Sequence, residues 1–209
     1  MSLEAIEKIN INIPEQSKGS NTNNYQELIL DENFDSKEKY EVIKKRLLDI
    51  NNWGSICGNL SGEFILLDSQ GNEKSSKPNK GDLIKINIPL TTSIEGQGFE
   101  WVKIQEIKEI NKEEKNINAV YFTLSPTGNP NTDSDTIAHF YTDDATNTFI
   151  ILRENNKIYV GIHGRNEVAN IEQTDSLIDK ILNRTIALGA IIGVSSIQWA
   201  NLIKALLKD

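Results

Sequence analysis

The chain has two histidines, and the five residues starting at one of them, His163-Gly164-Arg165-Asn166-Glu167, gather most of its chemistry-bearing side-chain types in one place. A histidine beside a carboxylate can act as an acid/base pair, and a guanidinium can clamp a carboxylate or phosphate through two parallel N–H groups. At strand alternation positions 163, 165 and 167 share a face if the strand runs on. Gly164 can equally break the strand, leaving Arg165 and Glu167 to pair with each other or with loop backbone. The second histidine, His139, lies in Asp135 to Asp144, where alternation puts it on the side of Ile137 and Tyr141. The binding candidates are therefore His163, Arg165, Asn166, Glu167 and His139.

Other chemistries find less support. A catalytic zinc takes three protein ligands, so two histidines need a carboxylate such as Asp143 or Asp144, and no HxH or HxxxH spacing organises one. No metal or cofactor is expected, and no catalytic residue is assigned. The single Cys57 has no nearby histidine and reads as a small thiol in the core. Nucleophile elbow, Walker loop, dinucleotide GxGxxG and paired-cysteine motifs are all missing from the sequence. A hydrolase-like enzyme working through His163, Arg165 and Glu167 is therefore the second functional reading, not the first.

Composition limits the partners. With 30 acidic and 22 basic residues the net charge is -8, which repels polyphosphate and argues against nucleic acid. Lys44-Lys45-Arg46 reads as the solvated face of a helix. The first residues lack a basic segment followed by an apolar one, so a cytoplasmic location is expected. At 209 residues, one domain over 1–209 can bury a sizeable core without disulfides or metal.

These residues must be positioned by a mainly β framework. Residues 7 to 13 alternate strictly and predict a strand with Ile9, Ile11 and Ile13 inward, and the Ser/Asn/Gly-rich stretch 15–24 predicts a flexible loop. Asp35 with Glu38 three residues on predicts a capped helix over 36–50, with Tyr40, Ile43, Leu47 and Ile50 on one stripe. From Phe64 onward the period is that of strands, with Phe64–Leu67, Leu83–Ile88, Trp101–Ile104 and Ala119–Leu124 separated by Gly/Asn/Ser/Pro loops, which implies antiparallel pairing. The clearest element is a hairpin turning at Asn155-Asn156, which sets Arg153 opposite Ile158, Ile151 opposite Val160, Phe149 opposite Ile162 and Thr148 opposite His163. Both its faces are apolar, so it belongs in the middle of the sheet, with His163 at its open end. A helical segment at about 174–208 closes the chain. Its stretch Thr185 to Ile203 has no charge and contains Gly189-x-x-x-Gly193, yet Ser195, Ser196, Gln198 and Asn201 interrupt it. A core-covering helix is favoured over a membrane span, and self-association stays open.

The residues Gly81-Asp-Leu-Ile-Lys-Ile-Asn-Ile-Pro89, Gly98-Phe-Glu-Trp-Val102, Ala138-His-Phe140, Thr148-Phe149 and His163-Gly-Arg-Asn-Glu167 are similar to an uncharacterised bacterial family, over about residues 51 to 207. That resemblance implies no activity, cofactor or catalytic residue. The order of elements resembles the helix-grip arrangement of START-like and Bet v 1-like proteins, which hold apolar ligands between sheet and helix; the expected seven strands after the first helix exceed the six of that arrangement. The expected fold is α+β: a curved antiparallel sheet or partly closed barrel of about seven strands with two helical segments packed on it. The first functional expectation is a non-enzymatic module binding a small apolar ligand or a protein partner. A third is a C-terminal helix that associates with membrane or with a second copy.

Overall fold

The computed structural model describes residue 6 and residues 9–58, 62–87, 96–132, 136–170 and 184–208, with side chains of 184–194 excepted. Strand β1 (Ser20–Ile29) leads into helix α1 (Ser36–Leu48), a 3-10 turn at Ile50–Asn52 and the short helix α2 (Trp53–Cys57). Six strands follow: β2 (Glu63–Leu67), β3 (Leu83–Asn87), β4 (Glu100–Lys112), β5 (Ile117–Pro126), β6 (Thr146–Glu154) and β7 (Lys157–Glu167). Helix α3 (Arg184–Leu207) ends the chain. The strands form one antiparallel sheet in the order β1-β7-β6-β5-β4-β3-β2, curved and not closed, so β1 and β2 are its edges. This is the expected fold class, and with six strands after the helices the element order departs less from the helix-grip arrangement than the sequence implied.

One face of the sheet carries the main core. Phe64, Leu66, Ile84, Ile86, Val102, Ile104, Val120, Phe122, Phe149, Ile151, Val160 and Ile162 pack there against Tyr40, Ile43 and Leu47 of α1, Trp53 of α2, and Trp199, Leu202, Ile203 and Leu206 of α3. We call this the inner face. Helix α1 begins where its sequence says, the Asp35 carboxylate accepting the N–H groups of Lys37 at 2.8 Å and Glu38 at 3.1 Å. Its last turn is tied to the end of α3, since the Arg46 guanidinium donates to the carbonyls of Leu206 and Lys208. Trp53 stands between Phe64, Phe122 and Phe149 with ring centroids 5.3 to 6.2 Å away, and its indole N–H donates to the Leu47 carbonyl.

The hairpin is in the predicted register, pair for pair, with Asn155 at φ 56° in its turn. Around it the chain departs from expectation in several places. The described residues 9–13 form a turn and irregular chain, not a strand; Ile6, Ile9 and Ile11 spend their apolar spacing on covering the outer face over Tyr121, Ile150, Leu152 and Tyr159. The predicted loop 15–24 is irregular only to Gly19, because from Ser20 the backbone pairs with β7, and ladder bonds do not depend on apolar side chains. Helix α1 stops at Leu48, and Ile50 begins a 3-10 turn. Residues 137–141 make isolated bridges, not a strand, which removes the extra strand counted after the first helix. Of the C-terminal segment, residues 174–183 lie outside the described residues.

Strand β4 runs on to Lys112, eight residues past the predicted Ile104, across a bulge that sets Ile104 opposite Leu124 and Glu106 opposite Thr123. Gln105 is the extra residue, and it turns the following side chains to the other face. A second irregularity sets Ser20 opposite Glu167 but Thr22 opposite Gly164, so three residues of β7 span two of β1. Asn166 stands in this bulge with φ 55°.

Candidate functional site

The bulge at Asn166 decides what the His163 to Glu167 stretch can do. His163 projects from the outer face with Tyr159, whose hydroxyl lies 2.8 Å from its Nε2, while Asn23 Oδ1 lies 2.8 Å from its Nδ1. The Asn23 amide oxygen can only accept, so Nδ1 carries the proton and Nε2 accepts from Tyr159. Burial, then the neighbouring Arg165 charge, lowers the His163 pKa from 6.5 to about 4, so the ring is neutral near pH 7 with both nitrogens engaged. Tyr25 stacks on Tyr159 with centroids 5.7 Å apart and continues this outer-face row.

Beyond the bulge the alternation is inverted, and Glu167 returns to the inner face. Its Oε1 accepts from the Thr22 hydroxyl at 3.1 Å. The carboxyl lies over Gly164, where any Cβ would overlap both Glu167 Oε1 and Thr22 Oγ1, so glycine here makes the room for it. His163 and Glu167 therefore stand on opposite faces, and the acid/base pair suggested by their spacing is not assembled. Arg165 donates to the carbonyls of Thr22 and Gly164. Asn166 is a clamp: its Oδ1 accepts from Ser17 and Lys18 N–H, its Nδ2 donates to the Glu15 carbonyl, and its own N–H donates to Gln16. That network holds the chain entering β1.

His139 lies on a segment that roofs this end of the sheet. Trp101 N–H donates to the Ala138 carbonyl, Thr142 N–H to the Val168 carbonyl and Asn170 N–H to the Phe140 carbonyl, so 138–142 spans from β4 to the end of β7. His139 Nδ1 accepts the Tyr141 N–H at 2.9 Å and its ring stacks on Phe140. Full burial lowers its pKa to about 3, against a smaller opposite effect of the Tyr141 bond, so it too is neutral.

Beneath this roof, between the inner face and α3, is a small cavity. Phe64, Ile86, Val102 and Leu124 give its apolar wall, and His139, Tyr141, Asn147, Ser195, Gln198 and Trp199 its polar end. Its volume is about 20 Å³, room for roughly one water and far below the ~300 Å³ at which small-molecule pockets begin. Among the described residues, three that line the cavity carry a buried polar atom short of hydrogen bonds: Asn147 Oδ1, Trp199 Nε1 and Tyr141 Oη, which has only the Ser195 hydroxyl beside it. Glu167 Oε2, over Gly164 and so next to Asn147, and Asn24 Nδ2, opposite Ile162, are partnerless just beyond the lining, with Thr142 Oγ1 and Thr146 Oγ1 close by in sequence. Burial raises the Glu167 pKa, against the Thr22 bond and the Arg165 charge. Burial, then the Glu167 charge, raises that of Tyr141, while the Ser195 hydroxyl beside it pulls the other way. Glu100 occupies the inner-face parity of β4, accepts the Phe140 N–H at 2.8 Å, and is pushed up from 4.5 to about 7 by desolvation.

Of the five predicted residues, the structure places Glu167 and His139 at this inner end, His163 on the outer face, and Arg165 and Asn166 on backbone. Asn147, Ser195, Gln198, Trp199 and Glu100 are not among the candidates the sequence offers. Two carried a signal: Asn147 shares the face of Phe149 and Ile151, and Glu100 that of Val102 and Ile104, each a polar residue at a core parity. Among the described residues no group of three or more His, Cys, Asp or Glu side chains is placed to hold a metal, and no helix is long and apolar enough to cross a membrane.

No family model matches the chain, and no curated protein sequence matches it. Among solved structures it is similar to norcoclaurine synthase from Thalictrum flavum, at 8% identity over 95% of this chain and 98% of that one with a TM-score of 0.37. It is also similar to Ara h 8.0201, at 9% identity over 91% and 100% with a TM-score of 0.38. Ginseng major latex-like protein 151 from Panax ginseng gives 14% identity over 86% and 97% with a TM-score of 0.34.

Proposed function

We propose that the protein is a non-enzymatic binding module that takes a small ligand, largely apolar, between the inner face of the sheet and α3, at the end roofed by 138–142. The observation that supports it most is the gathering of partnerless buried polar atoms at one end of an otherwise apolar inner face. Each such atom costs about 1–3 kcal/mol in the folded chain, and a ligand that supplies partners recovers that cost. A cavity of about 20 Å³ does not admit such a ligand as it stands, so binding requires α3 to lift from the sheet. Trp199, on α3 and 5.1 Å from Phe149, reports that movement directly. The enzymatic reading has less support: both histidine rings are hydrogen-bonded within the fold, and Glu167 stands on the opposite face from His163.

The test is titration with C8 to C12 amphiphiles below their aggregation concentrations, followed by tryptophan emission and thermal unfolding. Saturable binding with a change in Trp199 emission, lost in Trp199→Phe, and a rise in Tm are expected, a hundredfold excess over Kd stabilising by about 2.7 kcal/mol. Failure of every amphiphile to raise Tm or change the emission overturns the proposal.

A further inference from the structure

The partnerless atoms at this site are not a random mixture. Tyr141 is buried and lines the cavity; among the described residues its hydroxyl has only the Ser195 hydroxyl beside it, which leaves it at least one free lone pair. Asn147 Oδ1 lines the same space and is without a partner. Gly164 is the cross-strand partner of Asn147, and over Gly164 sits the Glu167 carboxyl, fully buried, with Oε2 unpaired and its charge felt at Tyr141. Two oxygens of the cavity lining, on Asn147 and Tyr141, thus have free lone pairs, and the carboxyl of Glu167 stands beside them, next to Asn147. The neighbouring cation, Arg165, acts on Glu167 through its charge but donates its hydrogen bonds to the carbonyls of Thr22 and Gly164. His139, the other titratable group of the cavity wall, is neutral, so no positive charge of the lining competes.

From this we infer, resting on the binding reading above, that the ligand carries a primary ammonium, held by Glu167 Oε2, Asn147 Oδ1 and Tyr141 Oη. An ammonium has three N–H donors and no acceptor, which matches three oxygens better than a hydroxyl with one donor does. Its charge compensates the buried carboxylate, whereas a ligand carboxylate is repelled. The rings of Phe140 and Trp199 border the same end and favour a cation over neutral polar heads. The head group is of the size of the existing cavity, and the apolar remainder lies along Ile86, Val102 and Leu124 once α3 lifts. The partnerless donor on the helix side, Trp199 Nε1, suits an acceptor farther along the same molecule.

The experiment compares octylammonium, octanol and octanoate by calorimetric titration near neutral pH on the full chain. Octylammonium is expected to bind about tenfold more tightly than octanol, with octanoate weakest, as one charge-assisted contact implies. Glu167→Gln, which keeps the shape and the bond to Thr22, should bring octylammonium down to the octanol level and leave octanol within about threefold. Should that variant fail to fold, Tyr141→Phe should narrow the ammonium preference severalfold without touching octanol. Octanol binding saturably in the wild type with octylammonium no tighter overturns the ammonium assignment and leaves the binding module standing. If none of the three binds, both are overturned.

Discussion

The β6–β7 hairpin carries a buried charged residue at each end of its inner face, and the two are treated in opposite ways. At the turn end, Arg153 uses all five of its N–H donors: two to Asn118 Oδ1 at 3.0 and 2.6 Å, and one each to Asn116 Oδ1, the Asn155 carbonyl and Ser36 Oγ. At the open end, Glu167 is as buried as Arg153, yet among the described residues it receives one hydrogen bond, from Thr22, and leaves Oε2 with none. Burial of a charge is costly wherever it happens, and hydrogen bonds are what offset it. Arg153 is thus part of what holds α1 and the β5–β6 and β6–β7 turns together, while Glu167 is held in place by the fold without repaying it. A polar group kept under those terms is the physical signature of a site.

The largest test of the contrast is Arg153→Met. It removes five hydrogen bonds and strands the buried Asn118 oxygen, which loses two of them, beside a methionine; an orphaned buried acceptor costs about 1–3 kcal/mol, and lost bonds to a charged group add to that. A loss of about 4 kcal/mol in urea unfolding is expected, with the m-value unchanged. A loss under about 1 kcal/mol means the network is ornamental, and the distinction between the two ends falls.

Next in size is the pH dependence due to Glu100, the other buried carboxyl at the open end. Its folded pKa of about 7 exceeds the unfolded 4.5, so between those values the folded chain holds a proton that the unfolded chain releases. Its contribution is therefore present below pH 4.5 and lost as pH rises to 7, by up to about 3 kcal/mol. Glu167, also raised, acts in the same sense. His139 and His163 act in the opposite one: with folded values of about 3 and 4 against 6.5, they take up protons on unfolding and lose stability as pH falls below 6.5. The four overlap, so only a difference isolates Glu100. Relative to wild type, Glu100→Gln should gain stability as pH rises from 4.5 to 7; curves that stay parallel would falsify the assignment.

The two ends also differ in how far sequence reasoning reaches them. At the turn end everything is local: Asn155-Asn156 marks the turn, the apolar pairs set the register, and Asp35 caps the helix whose Ser36 reaches Arg153. At the open end the outcome depends on a bulge. His163, Arg165 and Glu167 read as one face because alternation is extrapolated through Asn166, and a single residue with φ 55° inverts that reading. The second half of β4 was missed for the same reason, its alternation breaking at Gln105. Strand β1 escaped because its pairing with β7 rests on backbone bonds that Ser, Asn and Thr make as well as Ile does. Glu100 and Asn147 were within reach, since parity alone sets them among core residues.

The smallest expected effect is also the one that separates the two ends most cleanly. Glu167→Met is the same kind of substitution as Arg153→Met, a buried charged side chain exchanged for an apolar one of similar length. Here one hydrogen bond disappears, and its donor, Thr22, is only half-buried. In return a desolvated carboxyl and its partnerless oxygen are removed, and replacing a poorly paired buried charge by apolar volume is often neutral or stabilising. The midpoint of urea unfolding should change by no more than about 1 kcal/mol in equivalent free energy, with stabilisation the expected direction near neutral pH, where the wild-type carboxyl is most penalised. A cost close to that of Arg153→Met would show that Glu167 supports the fold through partners of its own, and the site at the open end would lose its main support. Stability kept or gained together with loss of octylammonium binding is the outcome expected of a residue retained for its ligand and not for the fold.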